Sequence, residues 1–205
     1  MSPAPPHASP SVIRRRPSVS VRLLSLALLG ILLAALAACG DDPFLLRWQE
    51  NPREATLFSL DRPELNRPQA FDMLQGRRVI VQSAQEEGRW DFAVDRRDGQ
   101  MVFLPPRTLG VASEAALVPL PNISFDDIRD APADTAVYIT REPVPIQTGT
   151  LYVVRTHQQS GPFGQICFYY GKMEPLEVNL ELGTVRFLFD ISPDCNNRRL
   201  VPPGS

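Results

Sequence analysis

Outside one N-terminal segment, no stretch of this chain keeps its apolar residues at a helical spacing for more than about two turns. A period of two dominates instead, and it sends successive side chains to opposite faces of a strand. The pattern is clearest in the last third. Thr150 to Thr156 is β-branched and aromatic. In Gln165 to Lys172, Ile166, Phe168 and Tyr170 share one face, and Cys167 and Tyr169 share the other. Val178 and Leu180 alternate with Asn179 and Glu181, and Val185, Phe187 and Phe189 recur at every second position. Upstream, Trp90, Phe92 and Val94 fall on one face, and Asp98-Gly99 separates them from Gln100 to Leu104. Asp-Gly between alternating runs is a hairpin signal, because Gly accepts positive φ.

Shorter strands are expected at Thr56 to Leu60, Arg78 to Gln82, Ala116 to Leu120, Val137 to Thr140 and Val144 to Ile146. Pro143 and Pro145 put the last two at a sheet edge. Ser124 to Ile128 reads as one turn of helix, with Ser124 as its cap and Asp127 near its positive end. The expectation is an all-β domain, an antiparallel β-sandwich or small barrel with a short helical turn, after an N-terminal signal helix.

The exception to the strand pattern is Leu23 to Ala38, 16 uncharged residues behind Arg14, Arg15, Arg16 and Arg22. A bilayer span needs about 20 apolar residues. A basic flank, a short apolar core and small residues at its end make a secretory signal, with an uncleaved membrane helix as the rival reading. Leu36-Ala37-Ala38-Cys39 resembles the lipobox of bacterial lipoprotein precursors. That resemblance implies cleavage before Cys39 and lipid on its sulfur. It also implies a cell-envelope location, with Gly40 favouring the outer membrane of a Gram-negative cell. The chain then divides into a signal peptide at 1–38, a proline-broken tether at 39–54 and one β-rich domain at 55–205.

Charge and cysteine content narrow the classes further. Removing the leader's four arginines from the 21 basic residues leaves 17 against 23 acidic ones. That balance argues against nucleic-acid partners and against electrostatic attachment to anionic lipid. Once Cys39 is acylated, Cys167 and Cys195 remain, and an exported compartment allows them to form a disulfide. Two free thiols or a metal pair are the competing readings, and neither has the close spacing of a zinc site. Lys172 is the only lysine and reads as a bias of composition.

Chemistry is represented mainly by absences. His157 is the only histidine after the leader, and no nucleophile motif stands near it. No P-loop or dinucleotide fingerprint occurs. Paired carboxylates of a hydrolase are one reading of the many acids, without geometry to select a pair. Asp126, Asp127, Asp130 and Asp134 could offer oxygens to calcium, but Arg129 sits among them and the loop spacing is wrong. The remaining candidate for ligand binding is the face carrying His157, Tyr169 and Met173, beside Phe163, Phe168 and Tyr170.

Three segments in order, Gly88-Arg89-Trp90-Asp91-Phe92-Ala93, Ser124-Phe125-Asp126-Asp127-Ile128 with Ala131-Pro132, and Leu151 to Thr156, are similar to patterns of the HmuY-type lipoproteins. The likeness covers about residues 70–190. It implies a β-rich, membrane-anchored protein that captures haem through two histidines or two methionines. Here only His157 is available, with Met101 or Met173 as the second ligand. The leading expectation is therefore a non-enzymatic envelope lipoprotein with a binding or structural role and no assigned cofactor or catalytic residue. Its partners would be the membrane, through its lipid, and an envelope protein or small hydrophobic ligand. Capture of haem or another hydrophobic molecule is the alternative, and a carboxylate-dependent hydrolase the third.

Overall fold

The computed structural model describes residues 48–161 and 163–204. The signal segment, Cys39 and most of the tether lie outside these residues. One antiparallel sheet is built from β1 (Arg53–Phe58), β12 (Thr184–Ile191), β11 (Tyr170–Asn179), β8 (Thr150–Arg155) and β6 (Ala116–Pro121), in that spatial order. The second runs β3 (Arg77–Val79), β2 (Ala70–Asp72), β4 (Phe92–Arg97), β5 (Gln100–Leu104) and β7 (Val144–Pro145). A separate ribbon pairs β9 (Gln159–Ser160) with β10 (Ile166–Cys167). The two large sheets pack as an all-β sandwich.

The hairpin signal is realised as a two-residue loop. Arg97 pairs with Gln100, and Asp98 and Gly99 have φ of 51° and 76°. Positive φ at both central positions matches the twist of the flanking strands. β7 carries Pro145 at the sheet edge, where a missing N–H leaves no ladder bond unmade.

Between the sheets the space is filled by aromatic side chains from both. Phe71 meets Phe189 edge-on at 4.7 Å between ring centroids, and Phe103 meets Tyr152 at 5.2 Å. Phe92, Phe187, Leu57, Val154 and Met173 complete the layer, all wholly buried. Burying each such side chain contributes about 1.5–3 kcal/mol before conformational entropy is subtracted. The outer faces are covered as well. Phe125, Ile128, Ala131 and Tyr138 lie over Val118, Leu151 and Val153 on the first sheet. Trp90 packs with Val79, Val102 and Leu104 outside the second.

Trp90 therefore does not share a face with Phe92 and Val94. It precedes the first ladder pair of β4, and Asp91 turns the chain between them by donating its N–H to the Phe71 carbonyl. A second difference falls at 165–172. This stretch is two strands, β10 and the start of β11, and Phe168 and Tyr169 are bound instead by tail and loop residues. Of the two expected faces, the one with Cys167 and Tyr169 is buried, while Ile166 on the other is 61% exposed. Ser124 to Ile128 closes as a turn, its Ser124 hydroxyl donating to the Asp127 carboxylate. Short 3-10 turns occur at Ala84–Glu86, Pro106–Leu109 and Thr135–Val137.

The last residues of the expected tether belong to the fold. β1 starts at Arg53, and the Asn51 N–H donates to Asp190. Glu50 accepts from Lys172 Nζ at 2.9 Å. Lys172 is buried on β11, also donates to the Phe125 carbonyl at 3.0 Å, and lies 4.5 Å from the Phe125 ring centre. The single lysine is thus a structural cation, not a mere trace of composition.

Candidate functional site

Asp91 and His157 join the two sheets at one end of the sandwich. Asp91 precedes β4, and His157 follows β8. Both are buried, and Asp91 has no exposed surface. Asp91 Oδ2 accepts the Met73 N–H at 2.7 Å, just beyond β2. Its Oδ1 accepts the His157 backbone N–H at 2.7 Å and faces His157 Nδ1 at 2.7 Å. One carboxylate thus takes three donors from both sheets. Thr156, also wholly buried, exchanges backbone and hydroxyl hydrogen bonds with the main chain of Tyr169. These contacts fix the His157 ring by its backbone, its neighbour and its Nδ1.

With Nδ1 held, Nε2 is left as the outward nitrogen, without a hydrogen-bond partner among the described residues. His157 lines a cleft of about 590 Å³ with Asp72, Arg77, Arg89, Gln159 and Ser160. It also lines an adjoining one of about 360 Å³ with Arg107, Ser113 and Glu114. Gly88 and Gln158 border both. The walls are chiefly polar.

Electrostatics distinguish the groups. Burial opposes a charge on His157, but the Asp91 hydrogen bond, with the charges of Asp91 and Asp72, outweighs it and raises the pKa above 6.5. Burial raises the Asp72 carboxyl, and the charge of Asp91 adds to this. Asp72 keeps partners in the Gln75 N–H at 3.1 Å and Arg77 Nε at 3.3 Å. Arg77 also pairs with Glu86 at 2.7 Å, and Arg107 pairs with Glu114. Arg89 is exposed, makes no side-chain hydrogen bond or close ion pair among the described residues, and helps hold the Glu86 carboxyl below its usual range, behind the Arg77 hydrogen bond. Gln159 Nε2 is a buried donor without an acceptor there.

Of the three residues expected to share a ligand-binding face, only His157 lines these clefts. Met173 is wholly buried between the sheets, and Tyr169 is tied back to Thr156. Met101 is likewise a core residue, 3% exposed. Cys167 and Cys195 are joined by a disulfide with Cα atoms 5.1 Å apart. It holds the tail against β10, where Asn196 bonds to the main chain of Ile166 and Phe168. Cys39 lies outside the described residues. Among these residues, no cluster of three or more His, Cys, Asp or Glu could hold a metal ion.

Sequence reasoning missed Asp91, Asp72, Gln159 and Arg89. The one available signal was an acid between Trp90 and Phe92, where burial on both sides demands a partner. The fold and site together define an antiparallel sandwich whose interior is solid and whose polar groups converge on an end cleft. No family model, curated protein or solved structure matches the chain.

Proposed function

We propose that this chain is a non-enzymatic envelope lipoprotein, anchored through Cys39 at the outer membrane of a Gram-negative cell, that binds a ligand at the His157 cleft. The observation that carries the binding role is the convergence of His157, Arg89 and Gln159 on one polar cleft while the inter-sheet space is filled. A non-enzymatic role is supported by the engagement of Asp91 with three protein donors. The anchor rests on the lipobox resemblance, and the disulfide suits an oxidising compartment.

Capture of haem or another hydrophobic molecule is the second reading. In its favour, Phe163 in the loop after β9 is 94% exposed and Ile166 on β10 is 61% exposed. Two measurements test these readings. Expression in a Gram-negative host with labelled palmitate should give labelled, membrane-bound protein, and Cys39→Ala should lose label and membrane association. Retention of both by the variant would refute the anchor. Hemin titration should give no Soret shift; a saturable shift lost in His157→Ala would install the second reading in place of the first.

A further inference from the structure

We propose that the His157 cleft receives an oxyanion, the phosphate or carboxylate group of a ligand, through His157 Nε2–H, the Gln159 carboxamide and the Arg89 guanidinium. The inference deepens the reading of this cleft as a binding surface and rests on it.

Three donors border one cleft, and none has an acceptor among the described residues. A buried donor without an acceptor destabilises the fold. Gln159 Nε2 is closed to solvent as it stands, so a ligand oxygen satisfies it once the carboxamide turns into the cleft. A cation is less favoured, because each carboxylate around the cleft already faces a cation of the protein. Asp91 holds His157, Asp72 and Glu86 share Arg77, and Glu114 meets Arg107. Arg89 is the guanidinium there without a hydrogen bond or close ion pair among the described residues, and its charge reaches Glu86 only through space. Ionised donor and acceptor together make hydrogen bonds about twice as strong as neutral pairs.

The donor set also depends on pH. The charged groups that bear on His157 are Asp91, Asp72 and Arg77, with Arg89, Arg107 and Glu114 on the cleft walls. The two aspartates extend the imidazolium to higher pH than a free histidine. Oxyanion affinity should therefore be full below that range and fall as pH rises through it.

The test uses the full-length chain in neutral detergent, with the His157 ring followed by two-bond proton–nitrogen NMR. Inorganic phosphate and citrate should shift Nε2 saturably at pH 6. Arg89→Gln and Gln159→Leu should each weaken this by roughly tenfold, and pH 9 by a similar factor. His157 holds Asp91, so His157→Gln risks the fold; exposed Arg89 supplies the variant that keeps it. Competition by phosphatidylglycerol vesicles, absent with phosphatidylcholine, would assign the oxyanion to a lipid headgroup, and its absence would assign it to a soluble molecule. A shift with methyl glucoside but not phosphate would overturn the oxyanion and leave the cleft a binding site for neutral polyols. Phosphate shifts unchanged by Arg89→Gln and Gln159→Leu, or no shift with any probe, would also overturn it.

Discussion

At the scale of single residues, two buried ions carry much of the organisation. Asp91 gathers the Met73 N–H just beyond β2 and the backbone N–H and Nδ1 of His157 after β8 onto one carboxylate. Asp91→Asn keeps the shape but gives up the charge and sets an amide against an N–H. It should lower unfolding free energy by about 3 kcal/mol, read from guanidinium denaturation. Because the folded pKa of His157 is raised, its stabilising charge is fully present below 6.5 and is lost as pH climbs through the folded value. Wild-type stability should fall over that interval, with a shallower fall in Asp91→Asn. Equal slopes would break the assigned pairing. Lys172 shows what composition conceals: a residue read as a bias of composition sits buried among Glu50, the Phe125 carbonyl and the Phe125 ring.

At the scale of elements, β11 shows how neighbours decide what a strand tolerates. Its first residues are flanked by β8 and β12, but β8 pairs only as far as Met173. Pro175 therefore sits where one side of the strand has no partner. The register then slips between Pro175 and Glu177, leaving Leu176 unpaired. Gly171 is needed for a different reason. A Cβ there would lie 2.5 Å from Met73 Cε and 2.8 Å from the Asp190 carbonyl. Gly171→Ala should cost about 1–3 kcal/mol by overpacking. Gly99→Ala has open space around it and only its positive φ to oppose it, about 1–2 kcal/mol. Melting both variants separates the causes: adding Met73→Ala should rescue part of Gly171→Ala and none of Gly99→Ala. The β4–β5 hairpin was legible because its signal is local. The split at 168–169 was not, because tail and loop residues compete there for the backbone bonds.

At the scale of the whole molecule, the disulfide and the filled interior set the terms. The Cys167–Cys195 bridge closes a 28-residue separation, worth about 3–4 kcal/mol in the chain-entropy account. Reduction should shift the guanidinium midpoint down accordingly, and should expose the tail from Ser192 onward to hydrogen exchange before the sandwich. Uniform loss of protection would mean that the bridge supports the core directly. Both sheets' inner faces meet in aromatic contact, so the site proposed for a ligand lies at the surface.

Alternation and turn residues determined an all-β antiparallel domain, because these depend on backbone period and local φ, while the cysteine count only allowed the one bridge the fold makes. Only the tertiary structure decided that Trp90 faces outward, that Met173 is packing and that Asp91 holds His157. Those outcomes depend on which distant segments meet, and a buried carboxylate reveals its purpose only once the chain has brought its donors to it.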